Sequence, residues 1–226
     1  GVVRSDLNMK LPAGQPPVYS GTLATDYFRL GEFIGDSMIG AVSLTGSVKG
    51  RGIRPQERNT VIDGKINFAD FKGYRYHNIQ VNGKLDKKQF DGFAAISDAE
   101  AEVVLNGIID FNEEIPVFNL LADVQKANLK KLNLTTDSIS FSGKFNLNFT
   151  GDNIDNFLGR AGIYEASLYN EGIRLPFDSL TLISAYESNE KKIQLLSNEA
   201  DATVSGRFNI RDLPDAFKLF LNRYYP

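Results

Sequence analysis

Alternation of apolar and polar residues is the dominant signal in this chain, and from about residue 19 it keeps a period of two nearly to the end. The plainest case is 138–151. Its odd positions are Ile139, Phe141, Gly143, Phe145, Leu147, Phe149 and Gly151, and its even positions are Ser138, Ser140, Ser142, Lys144, Asn146, Asn148 and Thr150. Five of the seven residues on one side are large and apolar and none on the other is, so one face of this strand must leave water while the other keeps it. At about 3.3 Å per residue such a strand is about 45 Å long, against about 17–20 Å for an ordinary one.

The same writing recurs along the chain. One side carries Val42, Leu44, Gly46 and Val48; then Ile62, Gly64, Ile66 and Phe68; then Ile79, Val81, Gly83 and Leu85. Phe90, Gly92, Ala94 and Ile96 follow, then Ala101, Val103, Leu105, Gly107, Ile109 and Phe111, then Phe118, Leu120, Ala122 and Val124. Later come Tyr164, Ala166 and Leu168, then Leu180 and Leu182, then Ala202, Val204, Gly206, Phe208 and Ile210. Short polar hinges such as Asp86-Lys87-Lys88, Asn170-Glu171-Gly172 and Ser188-Asn189-Glu190 stand where hairpin turns belong. The expectation is a mainly β chain of ten or eleven strands in a long meander, antiparallel because the connections are too short for crossovers.

Glycine falls repeatedly inside the apolar series, at Gly46, Gly64, Gly83, Gly92, Gly107, Gly143 and Gly206. Two readings stand: the glycines let a large sheet coil tightly over its own core, or they keep a concave side open. Their irregular spacing makes this a loose strand repeat, with no strict solenoid unit.

Two helical patches interrupt the pattern. Residues 153–159 read as one or two capped turns closed by Gly159, with Phe157 and Leu158 turned inward. From Asp212, a candidate N-cap, the residues Leu213, Ala216, Phe217, Phe220, Leu221 and Tyr224 draw one apolar stripe on a helix. The reading is a capping helix that plugs a sheet edge or the end of a core. At the other end Pro12, Pro16 and Pro17 cannot run through a sheet interior. Residues 1–18 are therefore expected to be a linker-like lead-in, 19–211 one β domain and 212–226 the cap.

Composition narrows the chemistry. With 226 residues, 42% hydrophobic and 23% charged, the chain is globular and large enough to fold without disulfides or metal. A net charge of −3 lacks the basic excess that nucleic acid selects. No Cys and one His leave thiol nucleophiles, Cys-rich zinc sites and His-based triads out of reach. His77, in Tyr74-Arg-Tyr-His-Asn78, reads as a surface histidine at a strand end. Asp152-Asn-Ile-Asp-Asn156 fails as a calcium loop, because Ile154 stands at position three and Ile163 at position twelve. Glu113-Glu114 reads as a solvated turn, and the sequons at Asn133 and Asn148 as chance matches. The pairs Lys87-Lys88, Lys130-Lys131 and Lys191-Lys192 read as a solvated rim, with attraction of anionic lipid headgroups as the alternative. No enzyme, metal or cofactor is expected. Absence of Cys fits an extracytoplasmic compartment, and Gly1 reads as an expression remnant on a segment of something longer.

An ordered series of motifs carries a resemblance. Val48-Lys-Gly-Arg-Gly-Ile53, Ile62-Asp-Gly-Lys-Ile66, Gly73-Tyr-Arg-Tyr-His-Asn-Ile79, Phe90-Asp-Gly92, Leu105-Asn-Gly107 and Leu213-Pro-Asp-Ala-Phe217 together resemble the AsmA-like superfamily. Within it the likeness is to TamB-type translocation and assembly module proteins of Gram-negative bacteria, in the Bacteroidetes form. The resemblance implies an inner-membrane-anchored, periplasm-spanning protein whose strands curl into a half-open, taco-like trough with an apolar interior. It implies a role in outer-membrane biogenesis, through phospholipid transfer between membranes or through β-barrel assembly with an Omp85-type partner. This chain would be an internal periplasmic segment, without the family's N-terminal anchor or its extreme C-terminal region.

On that reading the groove for acyl chains is lined by Val42, Leu44, Ile62, Ile66, Phe68, Ile79, Val81, Leu85, Val103, Leu105, Phe118, Leu120, Phe141, Phe145, Leu147, Phe149, Val204 and Phe208. Leu213, Phe217, Phe220, Leu221 and Tyr224 form the cap. A sixteen-carbon chain faces a barrier on the order of 12 kcal/mol to crossing water unaided, which a continuous apolar trough removes without catalysis. The competing reading is a scaffold that offers strand edges to unfolded barrel proteins. A closed sandwich for soluble sugars is poorly motivated, since the sequence has no Trp.

Overall fold

A computed structural model describes residues 2–35 and 37–224. Thirteen strands form one antiparallel sheet in strict sequence order. They are β1 (Val3–Lys10), β2 (Val18–Arg29), β3 (Ile39–Arg51), β4 (Asn59–Phe71), β5 (Tyr74–Asp86), β6 (Gln89–Ser97) and β7 (Ala101–Asp110). The meander continues through β8 (Val117–Asn128), β9 (Ile139–Thr150), β10 (Leu158–Asn170), β11 (Ile173–Glu187), β12 (Glu190–Ser197) and β13 (Asp201–Gly206). A short helix α1 (Leu30–Ile34) follows β2, and α2 (Leu213–Tyr224) follows β13. Two 3₁₀ turns, Ile154–Asn156 and Ile210–Asp212, stand before β10 and before α2.

Turn chemistry sets this topology. The β4–β5, β10–β11 and β11–β12 hairpins close on Lys72-Gly73, Glu171-Gly172 and Ser188-Asn189, each with positive φ at both residues. That is the two-residue turn whose twist matches the strands it joins. Among the described residues strands pack extensively only on their sequence neighbours, so the molecule is a single curled layer. The first and last strands do not meet, and the trough is open.

Openness shows in the surface. The chain exposes 14787 Å², whereas a compact monomer of 25.1 kDa exposes about 10,300 Å². Leu132, at 1%, is the largest side chain that is fully enclosed. It sits with Ala101 and Ala127 beneath Tyr74, Tyr76, Ile96, Val103 and Val124, in a small core at one end of the sheet.

Curvature concentrates at that same end. All the register shifts lie there: at Thr25/Phe28 in β2, Ile39/Val42 and Ser43/Leu44 between β3 and β4, Glu102/Val103, Val124/Ala127 and Tyr164/Ser167. Bulges bend and twist a sheet, so the trough is drawn tight around the Leu132 core while the opposite end keeps an unbroken ladder.

Several expectations need correction. Residues 3–10, expected within a lead-in, form the edge strand β1, with the prolines in the β1–β2 connection. Strands β1, β2 and β12 raise the count to thirteen; Lys191-Lys192, read as a turn, lie inside β12. The turn near 153–159 is capped at its start, where the Asn153 side chain accepts from the Asp155 and Asn156 amides, and Gly159 belongs to β10. Asp212 ends a 3₁₀ turn that runs into α2 instead of capping the helix by itself. The side chains of Phe217, Phe220, Leu221 and Tyr224 lie outside the described residues.

Glycine pairs mark where strands approach most closely. Gly46 faces Gly64 across β3–β4, and a Cβ on Gly46 would stand 2.7 Å from the Asp63 carbonyl oxygen and 2.9 Å from the Gly64 Cα. A Cβ on Gly64 would meet nothing closer than 3.5 Å. Gly46→Ala is therefore expected to cost about 1–3 kcal/mol through overpacking against backbone, while Gly64→Ala gains about 0.4–1 kcal/mol from lost unfolded-state freedom. Urea denaturation of the two variants checks this; equal effects would contradict the asymmetry.

Candidate functional site

Partners across an antiparallel ladder point to the same side, so register decides which residues share a face. One row runs Leu23–Gly46–Gly64–Val81–Ala94–Leu105–Ala122–Phe145–Ile163–Leu180 from β2 to β11. Its neighbour runs Val48–Ile62–Gly83–Gly92–Gly107–Leu120–Leu147–Ala161–Leu182–Leu195–Ala202 from β3 to β13. A third row holds Leu85, Phe90, Ile109, Phe118 and Phe149. Together the rows make an apolar band that crosses the sheet from strand to strand.

Sixteen of the eighteen residues expected in the groove share this face. Leu44, Ile62, Ile66, Ile79, Val81, Leu85, Val103, Leu105, Phe118, Leu120, Phe141, Phe145, Leu147 and Phe149 are half-buried, and Val204 is exposed. Three expectations fail. Phe68 pairs with Ser43 and His77 while its neighbour Ala69 pairs with Val42, so the bulge at Ser43/Leu44 turns Phe68 to the polar side. There its ring packs under the Arg75 guanidinium, 4.0 Å away, and near the Tyr27 ring. Phe208 lies beyond the end of β13, in the connection to the second 3₁₀ turn. Val42 keeps the apolar side but is 4% exposed, at the end of β3 that α1 packs against, so it lines no open space.

Residues the sequence reading passed over complete the band: Leu23 on β2, Ile163 on β10, and Ile193 and Leu195 on β12. In β10 the apolar parity was assigned to Tyr164, but Tyr164 pairs with Lys144 and its hydroxyl accepts from Arg160. The left-handed Glu165 (φ 49) starts the bulge that shifts the parity to Leu168.

The rings run along the face. Phe118 stacks on Phe149 at 4.8 Å, Phe149 meets Phe157 at 5.0 Å, and Phe141 meets Phe145 at 5.3 Å. These contacts join rings on one strand, on adjacent strands or in an adjoining connection, so among the described residues no second wall interlocks with them. Over the Gly46–Gly64 pair the face dips into an apolar hollow of about 220 Å³ walled by Leu23, Leu44, Val48, Ile62, Ile66 and Val81. The opposite face carries a larger hollow of about 740 Å³ lined by Thr22, Thr45, Ser47, Asp63, Lys65, Gln80 and Asn82. Ala24 and Phe93 join that lining, so polar and apolar groups are interspersed there and no continuous apolar wall forms.

Polar groups cluster at the tight end. Asp98 has a side chain 2% exposed, and it accepts from the Tyr74 hydroxyl, the His77 and Glu100 amides and the His77 ring. Burial pushes its carboxyl up, but these donors outweigh burial and hold it below the usual carboxylate range. Burial and the neighbouring Asp98 raise the Tyr74 phenol. The cluster anchors the β5–β6–β7 corner beside the Leu132 core. Among the described residues no group of three or more acidic or histidine side chains is placed to hold a metal, and no helix is long and apolar enough to cross a membrane.

Two outcomes follow from this geometry. Phe145→Ala is expected to cost less than the roughly 3–5 kcal/mol of an enclosed phenylalanine, while Leu132→Ala costs about 2–5 kcal/mol; chemical denaturation of both compares them, and a full core penalty at Phe145 would contradict an open face. Because the folded value of Asp98 is depressed, its contribution is complete above the unfolded value of about 4 and is lost as pH falls through the folded one. Asp98→Asn should thus flatten the acid limb of stability, read from urea curves at pH 7 and pH 3, and should cost about 1–3 kcal/mol at pH 7. The chain matches no family model, no curated protein and no solved structure.

Proposed function

We propose that the chain is a periplasmic segment of an AsmA/TamB-like protein, a non-enzymatic conduit whose apolar band carries phospholipid acyl chains between inner and outer membranes. One observation carries the reading: among the described residues an apolar face runs across the sheet with no second layer over it, and the molecule exposes several thousand Å² beyond the compact expectation. A contiguous apolar face left uncovered marks an interaction surface. The band crosses the strands, so an acyl chain lying on it passes from one strand to the next without meeting the polar side chains of the other face. Glycines along its middle rows lower the floor of the band, and the Gly46–Gly64 hollow is a place for a methylene chain to settle. Contact with an Omp85-type outer-membrane partner would belong to a longer protein of which this is a part.

A second reading has its own observation. β1 and β13 each pair on one side only among the described residues, which suits strand addition by an extended outer-membrane segment.

Native mass spectrometry of protein purified from Gram-negative cells without detergent tests the first reading. Co-purified phospholipid is expected, and Leu44→Glu with Ile66→Glu should abolish it while the far-ultraviolet circular dichroism of the sheet persists. Protein free of lipid, together with binding of an extended barrel peptide that the two substitutions leave unchanged, would favour the second reading instead.

A further inference from the structure

The segment after β13 folds back across the unbroken end of the sheet. Arg211 pairs with the Asp155 carboxylate, and its backbone amide donates to Asp155 Oδ1 at 3.1 Å. This ties the 3₁₀ turn before α2 to the one between β9 and β10, so a strap bridges the end of the strands from β13 to β10. Beside the strap, β11 and β12 each enclose one polar side chain on the apolar face. Ser184 belongs to the row Gly159–Ser184–Ile193–Val204, and Lys191 to the next, Tyr186–Lys191–Gly206.

Lys191 is 3% exposed, and its ammonium donates to the Asp155 backbone carbonyl. Loss of solvent lowers its affinity for the proton, opposed by the nearby Asp155 carboxylate. That carboxylate is already engaged by Arg211. Ser184 is 2% exposed and its hydroxyl has no hydrogen-bond partner. Lys191 and Arg211 therefore both lie beside the single Asp155 carboxylate, with an unsatisfied hydroxyl in the row adjoining Lys191. Phe118, Phe149 and Phe157 stack in the same region, so a purely structural seal of apolar side chains was within reach of this sequence.

We propose that this end is a headgroup site, in which Lys191 and Ser184 bind the phosphate of an amphiphile whose tail lies on the apolar band, the phosphate displacing Asp155 from its cations as the strap opens. It rests on the acyl-chain reading above and adds the chemistry of the polar end. A phosphate oxygen supplies the full negative charge that the Asp155 carbonyl does not give Lys191, and an acceptor for the Ser184 hydroxyl.

Binding of dodecyl phosphate, dodecyl maltoside and inorganic phosphate to the purified chain, measured by calorimetry, tests the site. Lys191→Met preserves side-chain length and is expected to weaken dodecyl phosphate about tenfold or more while leaving dodecyl maltoside within about twofold. Lys191→Arg should restore the phosphate preference, and Asp155→Asn, which removes the competing carboxylate, should strengthen dodecyl phosphate alone. Equal effects of Lys191→Met on both amphiphiles would overturn the headgroup site and leave the band intact. Inorganic phosphate bound as tightly as dodecyl phosphate would make this a site for free phosphate and overturn the link to a tail. Wild-type protein that binds neither amphiphile would overturn the acyl-chain reading, and the headgroup site with it.

Discussion

A sheet with one apolar face must bring that face out of water, and this molecule does so by bending a single layer instead of packing two. The hydrogen-bonded ladder supplies the frame and the bend supplies what shelter there is. Most apolar side chains on the inner side are consequently half-buried, and the few enclosed ones, such as Leu132, Val42, Ala166 and Ile193, are scattered over the face. A face in that condition is costly to leave bare and ready to accept hydrocarbon, which links the architecture to the acyl-chain reading.

The two ends of the trough differ in construction. At one end bulges tighten the sheet, and Asp98 draws Tyr74 and His77 into a hydrogen-bonded corner over the small core. At the other the strands stay in regular register, and closure comes from a strap held by the Asp155–Arg211 pair. A bulged rim and a rim tied by an ion pair therefore flank the band on its two sides.

Glycine serves two purposes on this face. Where Gly92 faces Gly83, a Cβ would stand 2.6 Å from the opposing Cα and collide with the Phe90 ring, so bare backbone makes room for an aromatic ring that covers it. Over Gly46 and Gly64 no ring closes in, and the same economy of atoms leaves the apolar hollow. The difference lies in whether a large neighbour such as Phe90 is at hand.

Period-two writing was enough to establish strands, their antiparallel meander and the apolar identity of one face, because adjacent Cβ atoms on a strand point to opposite sides whatever the rest of the chain does. Fourteen of the groove residues were legible as half-buried band residues for that reason. Phe68 and Tyr164 were misassigned because a bulge reverses parity partway along a strand, and an aromatic residue just before or after the break fits the alternation on either side. Lys191 looked like a turn lysine, and only the return of the chain after β13 encloses it. The tertiary structure alone decided that the sheet curls as one open layer instead of folding into a sandwich, since both arrangements require the same one-sided strands and differ only in where distant strands come to lie.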